Sequence, residues 1–272
     1  MNFAGLYSGI LGEFNPLEPI LSAPLFSFHI GSWHIVFTNH MFVISAATVL
    51  LLIVIPLATR RRKKEMVPRG IQNVVESVCV YFREEVARPI LHEHTDKYIS
   101  FIWTVFFFIL TLNLLAMFPS EKIVTIITGK KSHFGGSATS NIWVTGAMAL
   151  VTFFMTHIAG VRSQGLWRYM VNLAPPVPLL LKPFIYFLEI ISAFVKPFAL
   201  AIRLFANMVA GHMVLATFLG LIFVFKLLSV AIVAEISVAA LSLLELMVAF
   251  IQAYIFALLS TLYIGASISP EH

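Results

Sequence analysis

The chain has 272 residues, of which 59% are hydrophobic and 11% charged, and its mean hydropathy is +0.92; so apolar a composition excludes a soluble globular fold and fits a polytopic helical membrane protein. The net charge of +5 comes from clustered lysines and arginines, which read as topology anchors and lipid-headgroup contacts, with no nucleic acid as partner. A lone cysteine, Cys79, excludes an intramolecular disulfide and makes no zinc site by itself.

Residues 1–37 mix Pro16, Pro19 and Pro24 with Phe, Trp and His and lack a basic region before an apolar core. They do not resemble a secretory signal and are expected to form an ordered or interfacial N-terminal arm. Residues 38–59, centred on the apolar run Asn39–Ala58, are long enough to cross a ~30 Å hydrocarbon core. The basic run Arg60–Lys64 then sets the inner face and puts the N-terminus on the outer side. Residues 66–92 keep apolar side chains at helical spacing but carry too many charges to span, which predicts an amphipathic helix on the inner surface, with Pro68 in its first turn. His92, Glu93 and His94 follow, but positions i and i+2 diverge on a helix and no third ligand is near, so no metal is expected.

Residues 98–161 form a transmembrane hairpin in this reading. Tyr98–Phe118 and Asn141–Val161 are the spans, and the glycine-bearing loop Ser120–Ser140 lies outside, with only Lys122, Lys130 and Lys131 to set against the inner basic residues. Asn113 and His157, within the spans, read as helix–helix hydrogen-bonding groups. Arg162–Lys182, with Pro175, Pro176 and Pro178, is an inner loop.

Residues 184–265 do not fit ordinary spans. Phe184–Phe225 has no clear turn signal, and Leu227–Ile264 follows after Lys226. A helix tilted by 40° needs only ~26 residues to cross. Either the first arm breaks near Pro197 or Gly211, or the two arms form a hairpin of long, strongly tilted helices. At 100° per residue, with Arg203 at zero, Asn207 and Glu189 fall at about 40°, Lys196 at about 20° and Ser192 at about −20°. One narrow polar stripe therefore runs along the first arm, flanked by Ala199, Ala206 and Ala210. His212 lies about 180° from Arg203, so it faces away from the stripe and towards the second arm. There Glu245 and Gln252, seven residues apart, share a face to within ~20°. Ionised groups at mid-bilayer cost at least ~2.5–3.5 kcal/mol, so they mark an ion pathway or a buried partner.

The run ALAIRLFANMVAGH at Ala199–His212, preceded by EIISAFVKP at Glu189–Pro197, resembles the signature of the F-type ATP synthase subunit a family. VPRGIQNVVE at Val67–Glu76, FFILTLNLLAMFP at Phe107–Pro119 and SNIWVTGAMAL at Ser140–Leu150 resemble further family segments. The resemblance implies an all-α stator that conducts protons through two offset half-channels. Arg203 would be the arginine that separates them, with Asn207 as its polar neighbour. His212, Glu245 and Gln252 would line the outer half-channel, and Glu189 and Ser192 the inner one. It also implies the c-ring, b-type peripheral stalk subunits, lipids and protons as partners, no cofactor, and no ATP chemistry in the chain itself. Many bacterial members carry Glu in place of His212 and His in place of Glu245.

A different class remains open from the residues alone. A stand-alone ion channel or secondary transporter would pair Arg203 in cis with Glu245 or Glu235; such proteins often show two related halves, and no internal repeat is evident here. The expected location is an energy-transducing inner membrane, bacterial in preference to mitochondrial because no organellar presequence is recognisable.

Overall fold

The computed structural model describes residues 24–30, 33–59, 70–118, 136–172, 178, 181–225 and 227–268. The basic run Arg60–Lys64, Pro68, most of the outer loop, and residues 173–177 and 179–180 of the proline-rich inner loop lie outside the described residues. So does the first part of the N-terminal arm.

The described part of that arm is a hairpin. Strand β1 (Pro24–Ile30) pairs antiparallel with β2 (Trp33–Thr38), Phe26 opposite Phe37 and Phe28 opposite Ile35, with an irregularity between Pro24 and Phe26. Aromatic and β-branched residues suit such a ladder, and the proline stands at the first residue of the strand, where a missing N–H does least harm. The rest of the described chain is mainly helical, and among the described residues five stretches are long and apolar enough to cross a membrane: Asn39–Leu57, Ile71–Met117, Ile142–Gln164, Lys182–Ile222 and Leu228–Ile268.

Helix α1 (Asn39–Thr59) exposes Leu52, Ile53 and Leu57, as a lipid-facing surface requires. Helix α2 (Ile71–Tyr81) starts after Gly70, whose φ of 62° is open to glycine at no steric cost. It runs into a π-helical turn, Phe82–Ala87, and a short α3 (Arg88–Leu91). The wider turn buries Phe82, Val86 and Ala87, and Phe82 meets Phe106 with ring centroids 4.6 Å apart. His92, with φ at 48°, reverses the chain into α4 (Thr95–Met117). His92, Glu93 and His94 are thus the corner between two helices, where the Thr95 hydroxyl donates to the His92 carbonyl at 2.7 Å. The Trp103 indole N–H donates to the Cys79 carbonyl at 3.0 Å and ties the charged helix to the span.

Helix α5 (Ile142–Gln164) follows a buried 3-10 turn at Ala138–Ser140 capped by Ser137. After Gly165, at φ 80°, a short helix α6 (Leu166–Val171) occupies the start of the stretch expected to be loop. Helix α7 (Lys182–Phe225) is one element of 44 residues and α8 (Leu228–Ile268) one of 41. At 1.5 Å per residue α7 is about 66 Å long, twice the hydrocarbon thickness. It runs through both Pro197 and Gly211 without a break: loss of one backbone bond at Pro197 is insufficient to interrupt a helix packed along its length.

These helices supply two compact units. One is drawn from Met1–Ala47, Leu112–Asn141 and Leu204–Ile251, the other from Thr48–Thr111, Ile142–Arg203 and Gln252–His272. In the first, the Asn113 side-chain amide donates to the Ala249 carbonyl at 3.4 Å, a helix–helix bond from a fully buried side chain. In the second, the end of α8 is clasped by α5. The last carbonyls of a helix have no intrahelical donor; here Gln164 donates to Ser267 at 2.8 Å and Ser163 to Ile268 at 3.4 Å. The Ser267 hydroxyl returns a bond to the Thr156 carbonyl at 2.9 Å.

Close approach at that end depends on Gly265, where an added Cβ would lie 2.6 Å from the Ile90 Cγ2 and 3.2 Å from its carbonyl oxygen. Because backbone cannot yield as a side chain does, Gly265→Val is expected to destabilise the subunit by roughly 1–3 kcal/mol, read as a lower melting temperature of the detergent-purified assembly. An unchanged melt would mean that α8 does not pack here.

Candidate functional site

The polar stripe lies on α7, and its charges are treated unequally. In the unit that holds residues 142–203, the Lys196 ammonium donates to the Glu189 carboxylate at 3.1 Å, both groups partly exposed. The pair spans two helical turns, which the long lysine stem permits. Ser192 is half-buried beside it. Arg203, two turns further on, is exposed and takes part in no salt bridge among the described residues. An arginine in an apolar helix, charged under all protein conditions, is thus left exposed with no carboxylate bound to it among the described residues.

Glu189 and Lys196 also line a cavity of about 120 Å³ in this unit. Its other polar lining includes His157, Gln164, Tyr169 and Tyr263, so it suits water better than an apolar guest. His157 Nδ1 is 2.5 Å from the Tyr169 hydroxyl. Sequence reasoning missed Tyr169 entirely, because it sits on α6, inside a stretch read as loop. His157 does make a helix–helix hydrogen bond, and its partner is this short helix.

In the other unit the end of α7 packs against the start of α8. His212 Nδ1 stands 4.0 Å from the Glu245 carboxylate, and Glu245 is only 6% exposed. That is beyond direct hydrogen-bond reach, and a carboxyl so buried needs a further polar partner such as a water. Among the described residues His212 Nε2, Glu245 Oε1 and Asn113 Oδ1 are buried without a hydrogen-bond partner. Buried polar atoms are ordinarily hydrogen-bonded, so several unpartnered ones in one unit set this region apart from an apolar core. Gly211 makes the approach possible, since a Cβ there would lie 2.6 Å from the Glu245 Oε1.

The remaining candidates are less closely defined. Asn207 is half-buried one turn beyond Arg203 on the same helix. Gln252 belongs to the unit that holds the end of α8, where it is buried with its Nε2 unpartnered. Glu235 is exposed. Sequence reasoning also passed over His40, buried at the start of α1 with neither ring nitrogen bonded among the described residues; a histidine beside the helix-starting Asn39 was the available signal.

Comparison with known proteins gives one answer. The family described as ATP synthase A chain matches residues 41–265. A protein named ATP synthase subunit a from Myxococcus xanthus (strain DK1622) is 36% identical, the alignment covering 94% of this chain and 90% of the relative. One of the same name from Chloroherpeton thalassium (strain ATCC 35110 / GB-78) is also 36% identical, over 93% of this chain and 73% of its own length. Another, from Anaeromyxobacter dehalogenans (strain 2CP-C), is 40% identical over 85% of this chain and 58% of the relative.

The Gly211–Glu245 contact makes a measurable coupling. Gly→Ala within a helix stabilises by up to ~1 kcal/mol where there is room, so Gly211→Ala should raise the melting temperature in a Glu245→Ala background. It should fail to do so when Glu245 is present. Equal effects in both backgrounds would show that the two residues are not in contact.

Proposed function

This chain belongs to the ATP synthase subunit a family, and from that premise we propose that it is the stationary proton-conducting subunit of a rotary ATP synthase, with Arg203 separating two offset half-channels. It is a multi-pass membrane protein of the Fo sector and associates with the c-ring. The observation that carries the assignment of Arg203 is its combination of exposure and lack of an ion pair among the described residues, on a helix whose other close charges, Glu189 and Lys196, are bonded to each other.

The physics follows from the guanidinium. It cannot relay a proton, and its positive charge repels excess protons from either side. A rotor carboxylate passing within ~4–6 Å has its pKa lowered by ~1–3 units and releases its proton. Beyond the arginine, in apolar surroundings, it takes a proton from the other half-channel. The membrane potential supplies ~2.3 kcal/mol per charge per 100 mV. His212 and Glu245, with Gln252, form the outer half-channel in this reading, and Glu189 and Ser192 the inner one; Asn207 keeps the surface beside Arg203 polar. The peripheral stalk's b-type subunits hold the chain still, and the bacterial relatives favour a bacterial inner membrane.

A transporter with an internal ion pair is the competing class, and the absence of Arg203 from the salt bridges among the described residues weighs against it.

In liposomes carrying the whole synthase, Arg203→Ala is expected to abolish ATP synthesis and ATP-driven pumping while passing protons down an imposed potential. Glu245→Gln is expected to slow transport without opening a leak, because it removes a relay group and keeps the barrier. Arg203→Lys should also fail to couple, since a compact ammonium lacks the planar fork. ATP synthesis at the wild-type rate by the Arg203→Ala enzyme would refute the assignment.

A further inference from the structure

We infer that His157, held by Tyr169, is a proton-accepting group of the inner path, exchanging protons with the water of the cavity that also exposes Glu189. The inference rests on the reading of Glu189 as part of that path. Its basis is the way the cavity is built. Two sides of it are already committed: the Glu189 carboxylate is bonded to Lys196 at 3.1 Å, and Tyr169 and Tyr263 are phenols. Of the lining groups, the imidazole is the one whose ordinary titration falls near neutral pH. It is also the one held from several directions. The Tyr169 hydroxyl lies 2.5 Å from Nδ1, and Phe153 packs edge-on against the ring with centroids 4.2 Å apart.

Tyr169 in turn cannot drift. Its ring fills the place where a side chain at residue 160 would stand, so Gly160 is a seat for it. Burial, and then the charge of Glu189, pushes the Tyr169 phenol up, so it stays a neutral hydroxyl. With Nδ1–H donating to the Tyr169 oxygen, the Nε2 lone pair is free to take a proton from cavity water. The imidazolium so formed keeps the same bond to Tyr169, and the same nitrogen returns the proton to water on the Glu189 side. No heavy atom need move, and the charges facing the ring in either state are Lys196 and Glu189 from α7, with neutral Tyr169 and Tyr263 from α6 and α8. Tyr169 is therefore a positioning residue, acting through His157.

The test uses the assembled synthase in liposomes, with ATP synthesis measured at a fixed potential while the pH on the inner side is varied. The wild type is expected to show a pH-dependent step in rate set by the imidazole. His157→Gln should lose that step and run severalfold slower. Tyr169→Phe keeps the ring in its seat and should retain the step at a shifted pH. ATP hydrolysis by the same preparations, uncoupled in detergent, verifies assembly. A wild-type profile from either variant, or a rate lowered equally at every pH, would overturn the inference. Glu189→Gln separates the two levels: if it leaves flux intact the inner-path reading fails and this inference with it, whereas slowed flux beside an unchanged His157→Gln profile defeats the histidine alone.

Discussion

An ionised side chain in hydrocarbon costs at least ~2.5–3.5 kcal/mol, and the first half of α7 carries three in one stripe, Glu189, Lys196 and Arg203. Glu189 and Lys196 offset one another by a direct bond at 3.1 Å. Arg203 has no such partner in the described chain, and it is exposed. A membrane protein tolerates that arrangement only when something outside the subunit, or water in a path beside it, meets the charge. In the proposed function, what comes past is a ring of carboxylates. In that reading the arginine is half of an interaction whose other half is on a moving partner.

The long helices follow from the same need. A helix of ordinary length would place a few polar groups at one depth, whereas 44 residues in α7 and 41 in α8 carry polar side chains over a distance well beyond one membrane thickness. Small residues then decide where the helices close up. Gly211 admits the Glu245 carboxyl, Gly160 seats Tyr169, and Gly265 lets α8 lie against Ile90. Around these contacts the buried polar atoms are in part bonded, as with Asn113 to Ala249 and Gln164 to Ser267, and in part left for water, as with His212 Nε2 and Glu245 Oε1. The bonded groups fix the helices, and in the proposed function the unbonded ones line the path.

Much of this was legible in the residues because lipid imposes simple rules. Apolar length marks α1, α4 and α5, the lack of turn signals marks α7 and α8, and 100° periodicity puts Glu189, Lys196 and Arg203 on one stripe with His212 opposite. The approach of His212 to Glu245 follows from that opposition. Other features escaped because they depend on tertiary packing. The β1–β2 hairpin hides among prolines and aromatics that also suit an irregular arm. The π turn at Phe82–Ala87 changes the phase of a helix by packing Phe82 against Phe106, which no local pattern reports. Helix α6 is six residues long between a glycine and a proline-rich stretch, too short for periodicity to show, and with it Tyr169 stayed out of sight. The stripe gave Lys196 and Glu189 a common face, but whether they bond to each other or to outside groups is a matter of rotamers.

The claim that Arg203 faces a moving carboxylate is tested most directly by cross-linking. Since Cys79 is the chain's one cysteine, a Cys79→Ser, Asn207→Cys variant carries a single thiol one turn from Arg203. It is assembled with c subunits bearing a cysteine one turn from their mid-membrane carboxylate, and the membranes are oxidised. A disulfide between the two subunits, formed in the assembled enzyme and lost on reduction, is the expected result. Failure of position 207 to reach the ring in a fully assembled enzyme would contradict the assignment.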